Sequence, residues 1–258
     1  MKILSLFLVV FYANYIHSEN SMNQSDTLKH LESCYNAILP AVEGNEEAFA
    51  WFSEIPHPLF NAVMHLSSEN VTAKIDSLID KVPSGNPVSF WVHPENHAEG
   101  LVEILKSKGF THIITCPLMA WPVQAMIPSE WDIRSAKKEM KAFNQITGHV
   151  YHFDEIIASK YANILDTFNS ESYLLFVDDK PVATGLLFPN GNVGGIFNIA
   201  VLPEHQKKGC ARAMMTFLML RANELHLRQL VLLSAPDTEK LYNDLGFEKV
   251  FDIEIYAR

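Results

Sequence analysis

The stretch that most constrains this chain is "NIAVLPEHQKKGCARAMMTFLML", residues 198–220. It opens as an apolar, strand-like run, passes a proline and turns through the basic segment "HQKKGCA". It leaves as a long helix that is apolar around most of its circumference, through Ala213, Met214, Met215, Phe217, Leu218, Met219 and Leu220. Such a helix has to be buried on more than one side, against a sheet. Its start is unusual. The first-turn N–H groups of a helix have no intrahelical acceptor and carry partial positive charge. A Ser, Thr, Asp or Asn side chain normally caps one of them, and none stands here. Gly209 instead lets the backbone curve so that successive N–H groups converge as an anion nest, while Gln206, Lys207 and Lys208 add donors and charge. The expectation is an external anion as cap, and a pyrophosphate suits several convergent N–H groups. The alternative is a solvated basic loop, because a lone glycine turn with lysines is a weak signal. Neither G-x-x-x-x-G-K-[ST] nor G-x-G-x-x-G after a first strand is present.

A basic turn stands out because the chain is acidic. Its 258 residues carry a net charge of −10, which argues against a general nucleic-acid binder. Hydrophobic residues make up 48% and charged residues 19%, enough apolar mass for a real core in one or two domains. Cys34, Cys116 and Cys210 are odd in number and far apart, with no CxxC pair. A disulfide framework or structural zinc is therefore not expected, and a reducing compartment suits the composition. The N-terminus points the other way: "MKILSLFLVVFYANYIHSEN" has a lysine, an apolar run over 3–16 and then polar residues, like a secretory signal. The run is short for a membrane span, and its cleavage site is a poor match. The second reading takes Met22 as the true start and 1–21 as an extension. The sequons at Asn23 and Asn70 matter only for a secreted chain.

Periodicity predicts helices over 26–39, 45–55, 71–82, 98–110, 137–147, 153–168, 211–227 and 237–245, with strands between them. Turn chemistry marks Asp178-Asp179 and "PNGN" (189–192) as hairpin turns. The segment "VSFWVHP…LVEILKSKGFTHIITCPLMAW" lies beside "LVLLSAP…KLYNDLGFEKVFDIEIYA" as strand, helix, Gly-Phe, strand. Gly109-Phe110 and Gly246-Phe247 each close a helix and open a strand, which suggests a degenerate duplication. The alternative is the match that any α/β chain gives.

Val201-x-Pro203-x-x-Gln206-x-x-Gly209-x-Ala211 resembles the acetyl-CoA signature of the GNAT superfamily of N-acetyltransferases, and "LYNDLGF" resembles that family's Tyr-x-x-x-Gly-Phe ending. The motifs occur in the family's order with a strand between them, and the likeness spans 131–258. One departure is Ala211, where many members have glycine. The resemblance implies an α/β (α+β) fold: a mixed, strongly curved sheet flanked by helices, possible here as a tandem of two such domains. Residues 22–128 would be a degenerate partner domain without a basic glycine turn, and 129–258 the acetyltransferase domain. It further implies a V-shaped opening between adjacent parallel strands that takes acetyl-CoA. The pyrophosphate would lie on the N–H groups of Lys207, Lys208, Gly209, Cys210, Ala211 and Arg212. Backbone groups of Ile199, Ala200 and Val201 would hold the pantetheine arm and acetyl carbonyl, with a bulge in that strand.

By the same resemblance Tyr242 would protonate the leaving thiolate, against the alternative of an amphipathic core tyrosine. Ser234 falls where relatives place a polar residue near the cofactor. The general base is not visible: relatives often carry a glutamate in the central strand, where this chain has Asn198, and Glu204 reads as surface. Cys210 sits where thiol pKa values fall, but it fills a variable position of the motif. His93 and His97 have metal spacing only on a helix, which Pro94 disfavours, so no metal is expected. The implied activity is acetyl transfer from acetyl-CoA to a primary amine, with a non-catalytic CoA-binding or regulatory module as the rival. The implied partners are acetyl-CoA and an amine acceptor, without nucleic acid or stable membrane association, and a homodimer stays open. Acetyl-CoA supply favours the cytoplasm; a true signal at 1–21 would favour export.

Overall fold

The computed structural model describes residues 24–39, 41–96, 98–125, 130–165 and 170–258. The signal-like stretch and both candidate starts, Met1 and Met22, lie outside these residues, as do His97 and Pro128. Helix α1 (Gln24–Ile38) is followed by β1 (Glu43–Gly44), β2 (Ala48–Phe52), β3 (Asn61–Leu66), α2 (Val71–Ile79), β4 (Ser89–Val92), α3 (Leu101–Ser107) and β5 (Thr111–Pro122). The second half runs β6 (Ile133–Ser135), α4 (Met140–Val150), α5 (Glu155–Leu165), β7 (Glu171–Val177), β8 (Lys180–Asn190), β9 (Val193–Val201), α6 (Cys210–Glu224), β10 (Gln229–Leu233), α7 (Glu239–Asp244) and β11 (Glu248–Ala257).

The eleven strands of the described residues form one mixed sheet in the order β1-β2-β3-β4-β11-β5-β10-β9-β8-β7-β6. Two neighbouring pairs are parallel, β3 with β4 and β9 with β10, and the rest are antiparallel. The last strand of each half lies away from its own half. β5 pairs with β10, and β11 pairs with β4, while β5 and β11 run antiparallel to each other along most of their length. Parting the halves near residue 128 would therefore strip β4 and β10 of a neighbour each.

The expected helix over 45–55 is a correction: Ala48–Phe52 is strand β2. Ala48, Ala50 and Trp51 are buried, and Asn45 turns the chain just before the strand by accepting from the Glu47 and Ala48 amides. Pairing with β3 overrides the local helical spacing. The other predicted helices form, with shifted ends. The Asp178-Asp179 hairpin is confirmed by left-handed φ of 50° and 57°, as the right-handed strand twist demands.

Helices cover both faces. On one face α6 lies on β8 and β9, burying Ala213, Met214, Met215, Leu218, Met219 and Ala222. The approach is close because Gly185 of β8 has no side chain; a Cβ there would sit 2.5 Å from Met214 Cγ. On the other face α4 packs Phe143 and Ile146 against Leu174, Leu186 and Phe188. α1 lies on this face too, placing Cys34 over Gly195 and Leu28 and Leu31 in the cluster with Trp51 and Trp91. No helix among the described residues is long and apolar enough to cross a membrane.

Candidate active site

β9 and β10 start together and then part. Their parallel register covers Gln229↔Val193, Leu230↔Gly194 and Val231↔Gly195, and β9 then runs on to Val201 paired with β8 alone. At the same point β9 bulges. The β8 register jumps from Thr184↔Ala200 to Leu186↔Phe197, which leaves Asn198 and Ile199 opposite one residue, and Asn198 takes φ of 55°. A bulge re-aims side chains. Phe197 meets Tyr35 of α1 edge-on at 5.7 Å, while Asn198 accepts a 2.7 Å hydrogen bond from Tyr161 of α5, so two consecutive side chains address the same helical layer. The Asn198 carbonyl accepts from buried Thr184 Oγ1 at 2.7 Å, which pins the backbone as well.

Beyond Val201 the chain makes a single turn of 3-10 helix, Pro203–His205, and reaches α6 through Lys207 (φ 58°) and Gly209 (φ 91°). Gly209 is the N-cap and supplies no side-chain bond; the first helical bond runs from the Ala213 amide to the Gly209 carbonyl at 2.9 Å. The amides of Cys210, Ala211 and Arg212 therefore precede the ladder. Gln206, Lys207, Lys208 and Gly209 are exposed, and neither lysine has a carboxylate partner among the described residues. Gln206 Nε2 donates to the Val201 carbonyl at 3.2 Å, tying the loop to the end of β9. Arg212 is exposed and pairs with Asp244 of α7 at 3.3 Å. Cys210 is buried, and burial pushes its thiol pKa up despite the nearby Lys208 charge, so the position offers a backbone N–H rather than a thiolate.

Tyr242 lies in α7 with 6% of its surface exposed, edge-on to Phe247. Burial pushes its hydroxyl up to about 12, with a hydrogen bond from Thr238 working against the rise. At the end of α4 the Tyr151 hydroxyl is pushed up, chiefly by burial, with Tyr161 and then Tyr242 adding to the rise, and it donates to the Ile199 carbonyl at 3.4 Å. Ser234, just past the end of β10, is buried; its hydroxyl donates to the Ala235 carbonyl at 2.7 Å and lies 3.1 Å from Thr238 Oγ1, which turns it toward its own loop. Glu204 is exposed in the 3-10 turn. His93 is buried with Nε2 2.7 Å from the Met64 carbonyl, a strand-bridging place unrelated to the loop. Sequence reasoning missed Tyr151 and Tyr161. They sit on unremarkable helical runs, and only the long-range return of α4 and α5 to β9 brings them here.

Residues 134–247 match the Acetyltransferase (GNAT) family. The GCN5-related N-acetyltransferase from Kribbella flavida superposes with a TM-score of 0.67 at 15% identity, over 88% of this chain and 94% of that one. A functionally unknown conserved protein from Staphylococcus epidermidis ATCC 12228 gives 0.64 at 15% identity, over 85% and 94%. The GCN5-related N-acetyltransferase from Sphaerobacter thermophilus gives 0.61 at 11% identity, over 85% and 82%. No curated protein matches the sequence. The C-terminal half of the chain, over residues 134–247, thus carries a GNAT family domain, on a fold shared with GCN5-related N-acetyltransferases. Its coarse function is the family's, acyl transfer.

Proposed function

We propose that this protein moves an acetyl group from acetyl-CoA to a primary amine. The observation that carries the reading is the parting of β9 from β10 beside the uncapped start of α6. The two features offer a slot for an extended arm and, at its end, a nest for a pyrophosphate. In this reading the anion lies on the amides of 207–212 with Lys207 and Lys208 around it, and the arm follows Ile199, Ala200 and Val201. The amine nitrogen attacks the thioester carbon, the C–S bond breaks, the thiolate takes the Tyr242 proton and the amine proton leaves to water. Ser234, its hydroxyl turned to Ala235 and Thr238, would contribute by shaping the wall.

Residues 129–258 would then be the catalytic domain and 22–128 a partner that walls the acceptor side. α1 supports that division of labour, since it places Tyr35 against Phe197. The cytoplasm is the compartment this chemistry favours. The second reading is a non-catalytic CoA-binding module. Asn198 favours it, because a carboxamide cannot take the amine's proton at neutral pH.

The test has two stages. Calorimetry and a thermal shift at millimolar acetyl-CoA should show binding and stabilisation by mass action; no binding sinks both readings. Steady-state thiol release with a panel of amines then separates enzyme from module. In the enzyme, Tyr242→Phe should lower kcat by about 10²-fold, at the low end for general acids because a thiolate leaves readily, with little change in cofactor affinity. With its hydroxyl held near 12, Tyr242 stays protonated through the usual assay range, so it should impose no alkaline limb below about pH 11. An unchanged kcat in a chemistry-limited assay of a folded variant makes Tyr242 a core aromatic only.

A further inference from the structure

The Asn198 carboxamide is held at one end and unpartnered at the other among the described residues. Tyr161 donates to its Oδ1 at 2.7 Å, and the left-handed bulge and the Thr184 hydroxyl fix the backbone beneath it. Its Nδ2 is buried and has no hydrogen-bond partner among the described residues. A buried N–H without an acceptor is costly, because it has lost water and gained nothing. A polar group kept in that condition, on strained backbone, at the point where two parallel strands separate, is a marker of ligand contact. Asn198 immediately precedes Ile199, whose carbonyl is in turn held by Tyr151 at 3.4 Å.

We infer that Asn198 Nδ2 is a hydrogen-bond donor to the carbonyl oxygen of the transferred acyl group, and that Tyr161 sets its orientation. This rests on the acetyl-CoA reading above. The chemistry follows from the lock. A tyrosine hydroxyl donating to Oδ1 points the NH₂ group away from Tyr161, so the free valence is a donor and calls for a lone-pair oxygen. A thioester carbonyl is such an oxygen. It gains negative charge as the amine attacks, so a donor fixed beforehand in a water-poor site serves the transition state more than the ground state. A glutamate in this place could accept the amine's proton but could not donate to the acyl oxygen.

The experiment compares affinity for acetyl-CoA with affinity for CoA, which lacks the acyl carbonyl, in the parent, in Asn198→Asp and in Tyr161→Phe. Aspartate tolerates the left-handed backbone, still accepts from Tyr161 and replaces the donor by an acceptor. The ratio of acetyl-CoA to CoA affinity should fall about 3- to 10-fold in Asn198→Asp, the worth of one neutral hydrogen bond, with CoA affinity itself unmoved. Tyr161→Phe frees the carboxamide to rotate and should lower the ratio less. A role confined to packing would shift both affinities together or neither. An unchanged ratio in folded Asn198→Asp overturns the inference; if that variant does not fold, an unchanged ratio in Tyr161→Phe does so. A parent that binds neither ligand refutes the acetyl-CoA reading itself, whereas a parent that binds both with an unmoved ratio in the variants refutes only the role of Asn198.

Discussion

β3 leads through Asn70 into α2 and lies parallel to β4; β9 leads through Gly209 into α6 and lies parallel to β10. The two units share order and pairing, yet they finish their openings differently. In the first half Asn70 caps α2, its side chain accepting from the Ala73 amide at 3.2 Å. The gap between the strands is stitched by side chains. Asn96 accepts from the Leu66 amide at 3.2 Å and donates to the Trp91 carbonyl at 3.0 Å, while His93 reaches the Met64 carbonyl at 2.7 Å. In the second half the helix start has a left-handed glycine and no side-chain cap, and Ser234 bonds within its own loop. The lysines diverge as well: those of α2 and its exit, Lys74 and Lys81, are held by Glu43. The same local architecture is closed by its own side chains in one half and left for something else in the other. That asymmetry supports placing the proposed anion site in the second half.

The largest expected effect follows from reversing the open end. Gly209→Glu puts a side chain at φ of 91° and a carboxylate where the anion would lie. Space is not the obstacle, since a Cβ there meets only Trp131 at 3.7 Å, so the loss should come from backbone strain and charge. Acetyl-CoA affinity should fall by at least about 100-fold, the sum of repulsion and a disturbed nest. Calorimetry on the folded variant is the check, and parent-like affinity would move the anion site elsewhere.

How far this contrast could be read beforehand depended on the range of the interactions. The open half was legible because its signals are local: Gln206 to Ala211 are consecutive, and a missing cap is visible in the sequence itself. The bulge at Asn198 came only through family resemblance, because nothing in "FNIAV" distinguishes it from a plain buried strand. The closed half departs from its local helical pattern at 45–55, where strand pairing decides, and its stitching has no local signal. Asn96 and His93 work across about thirty residues, and no periodicity encodes which side chain will bridge a gap. The exchange of β5 and β11 is of the same kind. The repeat of strand, helix, Gly-Phe and strand was visible, but the partner of each last strand depends on the other half of the chain.

A smaller effect tests the capped end. Asn70→Ala removes the acceptor for the Ala73 amide and should cost about 1 kcal/mol of stability, typical of a lost N-cap. Chemical denaturation reads it as a lowered midpoint at constant slope. Acetyl-CoA affinity should not move. A weakened affinity would mean that the first half also takes part in binding, and the contrast between the two helix starts would lose its meaning.

The smallest effect concerns the lysines. Glu43 is held well below the usual carboxylate range, down to about 2, chiefly by hydrogen bonds from Lys74 and Lys81. A carboxylate whose pKa is lower in the folded chain than in the unfolded one binds fewer protons when folded, so its contribution is present above the unfolded value. It is lost as pH falls from about 4.5 toward 2. Both partners reach solvent, Lys81 with 39% of its side chain exposed, so the contribution should be on the order of 1 kcal/mol or less and should shrink with added salt. Glu43→Gln should accordingly be less stable than the parent at pH 7 and converge with it near pH 2, in paired denaturation curves. Lys207→Gln and Lys208→Gln, whose lysines hold no carboxylate among the described residues, should show no such convergence without ligand. A pH-dependent stability deficit in those variants would mean that the second loop has an internal anionic partner, and the case for an external one would fall with it.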